Sequence, residues 1–462
     1  MLIDFIGNDI VVLNNIRRAM TKPCNGELLG VLDVLPPELL QDIFRRMERE
    51  DVRIVSKAAR DMFDASCVAL KIGFFLTPPP THPVPPGLIL GCPNLKSLEL
   101  GGEVKDKHLL LRAAAARCTT IDRLTMLDWS KNTWALMAPE LAQLTTLQTL
   151  DLMVEESDNA APFADALEHL TDLQDLTLEC VFSDAALVAL AVGKLQKLRR
   201  LQITNSDLGS DGANALATNL PNSLRHLSLL TSGIDDQGAV ALSQAFVRLG
   251  NLETLEIDNR DCNWNLGNIG PEGSAAIAST LPCLTALRAL QLSDFIDSDG
   301  ERVLASPLKF LNGLTRLSLE ASYPAGCPST LYEALKGMPH LTELDIVNIF
   351  HVNGLADAFA SLPRLQRLAL SSGDDDDVTW PRAVAHLKGL EELAVHGLSL
   401  HRMTRMGSSC AEILVPSLKA LTSLTKLEFE NIRADETAEA MIKAVVPFAV
   451  FDEHPSLKIV VV

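Results

Sequence analysis

The chain has 462 residues with a formal net charge of −19, 47% hydrophobic residues, 21% charged residues and only 5% aromatics. That length exceeds one ordinary globular core, and the apolar content excludes a disordered chain. An acidic surface repels phosphate, so nucleic acid and anionic membranes are not expected as the main partners. The nine cysteines are scattered without a CxxC pair, no Asn-x-Ser/Thr acceptor occurs, and Asp4 and Asp9 interrupt the apolar start. These features argue against a secretory leader and an oxidising compartment, and no uncharged apolar run is long enough to span a membrane. The expected setting is a reducing one, the cytosol or the nucleus.

Residues 1–30 read as a lead-in, with Ile10-Val11-Val12-Leu13 followed by Arg17-Arg18. Residues 31–72 read as a small helical module. Pro36 and Pro37 suit the first turn of a helix, where a missing N–H is harmless. Leu39, Leu40, Ile43, Phe44 and Met47 then recur at three- and four-residue spacing and make one apolar face. Asp51–Phe63 is a second short amphipathic helix. So few helices bury little core alone and call for a partner. At the end of this stretch, Val68–Ile72 alternates like a strand and suits the start of an array. Residues 73–92 form a linker around Thr77–Pro86, whose six prolines in ten residues enforce an extended spacer. A PxxP ligand for an aromatic groove is the competing reading of that run.

The opening Leu35-Pro36-x-Glu38-Leu39-Leu40-x-x-Ile43-Phe44 resembles the first helix of the F-box family, and Val55-Ser56-Lys57-x-x-Arg60 resembles its later basic helix. The stretch between them is shorter than the family's, and Ala58 or Ala59 stands where a tryptophan is usual. The resemblance implies that Leu35, Pro36, Leu39, Ile43, Phe44 and Val55 are buried against a Skp1-type adaptor of a cullin–RING ubiquitin ligase. The competing reading of the same helices is a cap on the first coil of the array.

Residues 93–462 repeat one pattern: leucine, two residues, leucine, one residue, leucine, then a polar turn and an amphipathic helix. It is clearest at Leu198-Arg199-Arg200-Leu201-Gln202-Ile203 and again at Leu224, Leu227 and Leu229. First-leucine positions run from Leu95 to Leu457 at spacings of mostly about 24 to 28 residues, which predicts about 14 repeats. The pattern is that of a leucine-rich repeat, so the fold class is α/β: a horseshoe solenoid with parallel strands on the concave face and helices on the convex face. The runs Gly212-Ala213, Gly238-Ala239 and Gly273-Ser274 resemble the ribonuclease-inhibitor-like class and its GALA subclass, and imply close packing of helix on sheet. Asp184, Asp211, Asp236 and Asp299 stand where helix N-caps are wanted. Cys92 and Cys118 replace leucines at equivalent places and read as buried small hydrophobes. Leu457–Val462 reads as a last strand with an open apolar edge.

The residues between the leucines face solvent in the concavity. Arg199, Arg200, Arg225 and His226 fall in two neighbouring coils, Arg288 and Arg316 follow, and Glu253, Glu256 and Asp258 interrupt them. Glu343, Asp345, Glu391 and Glu392 make an acidic end. A bipolar surface of this kind suits a protein partner that places an acidic element at the arginines, and the competing reading is charge that is merely solvated. Extra residues at 258–270 and 396–410 predict surface loops, and Trp264 in the first of them is a candidate anchor. Asp374–Asp377 lacks the glycine and spaced ligands of a calcium loop and reads as solvated acid. The chain holds no nucleophile–base constellation, no phosphate-binding glycine loop and no His/Cys metal spacing, so neither enzyme, cofactor nor metal is expected.

Two functions fit. One is a non-catalytic adaptor that joins a target protein on the repeats to a Skp1-type ligase component, in the cytosol or nucleus, or in host cytosol if the source is a bacterial effector. The other is a ribonuclease-inhibitor-like scaffold or inhibitor without a ligase.

Overall fold

The computed structural model describes residues 68–72, 87–90, 92–101, 104, 107–128, 134–157, 160–182, 184–206, 208–258, 269–293, 306–326, 329–350, 354–372, 378–397 and 404–452. The F-box-like residues Leu35 to Val55, Trp264, Asp299, Asp374–Asp377 and the expected strand Leu457–Val462 lie outside them.

Among the described residues, fifteen strands pair in parallel and in chain order, apart from a separate two-stranded sheet described below. The chain divides into two compact units, residues 1–155 with 165–173, and residues 156–164 with 174–462.

In the first unit the strands are β1 (Ala69–Ile72), β2 (Ser97–Leu100), β3 (Arg123–Asp128) and β4 (Thr149–Ser157). Residues 69–72 thus pair with Ser97–Leu100 and begin the sheet, as their alternation predicts. Leu70, Leu98, Leu124 and Leu150 are register partners in succession, and all are buried. Cys92 and Cys118 are free thiols, both buried, and the Cys118 Sγ donates to the Cys92 carbonyl at 3.3 Å. They fill leucine slots as the sequence implies.

In the second unit the strands are β5 (Asp175–Phe182), β6 (Arg200–Thr204), β7 (His226–Leu230), β8 (Thr254–Asp258), β9 (Ala289–Ser293) and β10 (Arg316–Gly326). They go on through β11 (Glu343–Phe350), β12 (Arg367–Ser372), β13 (Glu392–Gly397), β15 (Lys426–Glu430) and β17 (Val450–Asp452). The middle leucines stack as a ladder, Leu201 on Leu227, Leu255, Leu290 and Leu317, each 0% exposed. Each such side chain contributes roughly 1.5–3 kcal/mol by leaving water, which is why a near-uniform leucine sequence yields a near-uniform coil.

The second extra stretch holds more than a loop. β14 (Thr404–Met406) pairs in parallel with β16 (Ile432–Ala434), so part of 396–410 adds a strand to a small second sheet. The last described strand of the main sheet was not foreseen, because Val446, Ala449 and Phe451 take the three leucine places of its coil. Phe451 pairs with Phe429 in register, and their rings stack at 4.6 Å.

Two expectations for the helices need correction. Among the described helices the aspartate caps are Asp184, which accepts from the Leu187 amide, Asp235, which accepts from the Gly238 amide at 2.8 Å, and Asp435, which accepts from the Ala438 amide at 2.7 Å. Asp211 and Asp236 lie inside first turns instead. Asp236 caps the next coil: its Oδ1 accepts from the amides of Gly270 (2.8 Å) and Gly273 (2.7 Å), where the helix Pro271–Thr280 has no side-chain cap of its own. The small residues also serve helix-on-helix rather than helix-on-sheet packing. A Cβ on Gly238 would stand 2.8 Å from the Ala213 Cβ, and one on Gly273 2.8 Å from the Ala239 Cβ. Each coil's glycine therefore receives the alanine of the coil before it.

Candidate interaction surface

Strand alternation aims every second residue away from the leucine core. In the second unit this builds rows of side chains that cross the strands. One row runs Asp175, Arg200, His226, Thr254, Ala289, Arg316, Glu343, Arg367, Glu392, Lys426, each in register with the next. A second row, two residues on, runs Thr177, Gln202, Ser228, Glu256, Gln291, Ser318, Asp345.

Several opposite charges on this face pair, most of them across neighbouring coils. Arg225 Nη1 lies 2.5 Å from Glu253 Oε1, and Arg316 Nε lies 2.6 Å from Glu343 Oε2. Arg367 binds the other oxygen of Glu343, so that carboxylate is clamped from both sides. Arg200 is only loosely tied, 4.0 Å from Asp175 Oδ1. His396 Nδ1 faces Glu430 Oε2 at 3.1 Å, and Lys426 faces Glu428 at 2.8 Å. Exposed pairs of this kind stabilise the fold by about 0–1 kcal/mol each, so they set the surface pattern more than the stability.

The protonation states follow from these contacts. Burial and then the Arg200 charge push the His226 imidazole below its usual value, which leaves it neutral at pH 7, with Nδ1 3.0 Å from the Thr254 hydroxyl. Burial favours the neutral form of Glu343, but hydrogen bonds from Arg316 and Arg367 more than offset it and hold the carboxyl below its usual value. Asp345 has no such clamp. Burial and then the neighbouring Glu343 charge push its carboxyl up.

The residues expected from the sequence are distributed unevenly on this surface. Arg199, Arg200 and Arg225 are exposed and His226 is partly so; Arg200 and His226 open the adjoining strands β6 and β7, and Arg199 and Arg225 stand one residue ahead of them. Arg225 is already occupied by Glu253, whereas Arg199 has no ion pair among the described residues. Arg288 is exposed and equally unpaired among them. Arg367 was missed, although aligning the coils on their leucines places it in the same row as Arg200 and Arg316. The acidic end expected at Glu343 and Asp345 is in part a neutralised clamp.

No described helix is long and apolar enough to cross a membrane. Among the described residues no group of three or more His, Cys, Asp or Glu side chains is arranged to hold a metal ion.

No family model matches the chain. It is 24% identical over 269 residues to NLR family CARD domain-containing protein 4 of Xenopus tropicalis, a match that covers 56% of this chain. The chain spans only 24% of the length of that curated relative. Among solved structures it is similar to a leucine-rich-repeat protein of Leptospira interrogans, at 16% identity and a TM-score of 0.39, covering 86% of this chain and 98% of the other. It is also similar to an internalin of Listeria monocytogenes, at 15% identity and a TM-score of 0.37, covering 90% and 94%. The repeated sequence, the strand-and-helix coil and the fifteen-stranded parallel sheet together describe a leucine-rich-repeat solenoid.

Proposed function

We propose that this protein is a non-catalytic adaptor whose sheet face captures a protein partner, while the F-box-like segment docks on a Skp1-type component of a ubiquitin ligase. The observation that supports partner capture is the row structure of the second unit: Arg200 and His226, then Arg316, Glu343, Arg367, Glu392 and Lys426, stand in register on neighbouring strands, on a face that the repeat pattern leaves open. Such surfaces are how solenoids work as a class. Of the four basic positions expected from the sequence, Arg199 and Arg200 are the proposed contacts for an acidic element of the partner, with His226 beside them and Trp264 as an apolar anchor, while Arg225 is held by Glu253. The ligase half rests on the resemblance of Leu35, Pro36, Leu39, Ile43, Phe44 and Val55 to the F-box, and the reducing setting rests on cysteine usage.

A pull-down with a Skp1-type adaptor tests the ligase half. Capture by the intact chain, lost on Leu39→Asp with Phe44→Asp, is the expected result. No capture, or capture unaffected by the double substitution, overturns it. The second reading, a ribonuclease-inhibitor-like scaffold without a ligase, draws on the glycine–alanine seams such as Ala213 against Gly238. Failure of the pull-down with intact partner capture favours that reading.

A further inference from the structure

Just ahead of β6 to β9, four side chains occupy successive rungs. The Arg225 amide donates to the Arg199 carbonyl, the Glu253 amide to that of Arg225, and the Arg288 amide to that of Glu253, at 2.8, 2.7 and 2.8 Å. All three arginines are exposed, yet they are not equivalent. Arg225 is closed by Glu253 at 2.5 Å. Arg199 and Arg288 have neither an ion pair nor a side-chain hydrogen bond among the described residues. The run therefore holds a neutral pair in the middle and a free cation at each end.

The spacing of those cations is set by the sheet. Parallel strands stand about 4.8 Å apart, so three rungs separate the two guanidinium stems by about 14 Å. An extended peptide rises about 3.4 Å per residue, so side chains four residues apart on one side are also separated by about 14 Å. The side chain midway between them would sit over the Arg225–Glu253 pair. An acid there meets Glu253 and a base meets Arg225, so an uncharged residue fits best. A single phosphate is far too small to bridge the same distance. A nucleic-acid strand is disfavoured by Glu253 at the centre and by the net charge of −19.

We propose that Arg199 and Arg288 together read an extended acidic segment of a protein partner, with carboxylates four residues apart and an uncharged residue midway. This rests on the reading of the sheet face as the recognition surface and adds Arg288 as a specificity-determining residue.

Fluorescence anisotropy on the full chain tests it, at low salt, with labelled Gly/Ser nonapeptides. One carries two glutamates four apart, one carries them two apart, and one carries a third glutamate midway. Hexaglutamate and a thymidine oligonucleotide are run beside them. The four-apart peptide should bind at least about threefold tighter than either alternative, in line with loss of one exposed ion pair. Arg199→Gln and Arg288→Gln should each abolish that preference, and Arg225→Gln should preserve it. Equal binding of all spacings, or abolition by Arg225→Gln as complete as by Arg288→Gln, overturns the proposal. Tighter binding of the oligonucleotide than of any peptide overturns the partner class. Hexaglutamate binding without spacing preference sinks this inference alone. If no acidic peptide binds, the acidic-partner reading of the surface falls with it.

Discussion

The seam between neighbouring helices gives the sharpest quantitative test of the fold. Gly238 belongs to the helix Asp236–Phe246, and Ala213 to the helix Gly209–Asn219 of the coil before it. A methyl at Gly238 would stand 2.8 Å from the Ala213 Cβ, closer than two such carbons pack, with Ile234 Cγ2 at 3.1 Å behind it. Neither Cβ can swing away, so Gly238→Ala has to push two helices apart. Overpacking of this kind costs about 1–3 kcal/mol, against a helix-propensity gain of about 1 kcal/mol for alanine over glycine. The expected net loss is about 0–2 kcal/mol. Ala213→Gly alone loses about 1 kcal/mol of propensity. Combining them moves the methyl from one side of the seam to the other and removes the clash. The double variant should then lie within about 1 kcal/mol of wild type, a coupling of about 1–3 kcal/mol where independent sites would add. Urea titrations read at constant slope measure all three variants. Strict additivity would show that the seam is not where these helices touch, and would refute the account of why glycine and alanine alternate between coils.

Other consequences can be checked on the same material. Asp236→Ala removes the acceptor of two amides at the start of the next helix, so stability should fall by about 1–2 kcal/mol, and amide exchange should accelerate at Gly270 and Gly273. Glu343→Gln should cost up to about 1 kcal/mol at pH 7, since the clamped carboxylate stabilises the fold above its unfolded pKa. That difference should vanish as pH falls through its lowered folded value. Asp345→Asn should act in the opposite sense, raising the melting temperature at neutral pH, because a carboxyl with a raised folded pKa costs stability until pH falls through that value. Thermal melts across acidic and neutral pH separate the two, and a stabilising Glu343→Gln at pH 7 would contradict the clamp. Trp380→Ala should cost about 3–5 kcal/mol, because the indole is 0% exposed and its Nε1 donates to the Ser372 hydroxyl. A loss within experimental error in a denaturant titration would place that side chain outside the core.

Much of the architecture was legible in order. Leucine spacing reports burial with period two on a strand, and burial on a sheet this regular is nearly a local property. The first leucines from Leu95 to Leu424 accordingly announce their strands. The coil of Val446, Ala449 and Phe451 escaped because its slots are filled by other apolar residues, one of them stacked on Phe429. Capping was half legible. An aspartate before a helix is a good sign of a cap, but Asp235 and Asp236 are adjacent and only packing decides which coil each one serves.

By itself, the sequence determined the repeat, its period, the leucine core and the set of charged positions left free to face a partner. All of these follow from side-chain type and spacing along one strand or helix. Only the tertiary structure decided which charges are spent and which are free. Arg225 and Arg199 look alike in the sequence, one residue after the first leucine of neighbouring coils, and Arg288 repeats the position two coils later. Glu253 lies one rung from Arg225 and one rung from Arg288, bonds Arg225 and leaves Arg199 and Arg288 open. Pairing across strands depends on register and reach between residues more than two dozen positions apart, and no local pattern encodes that.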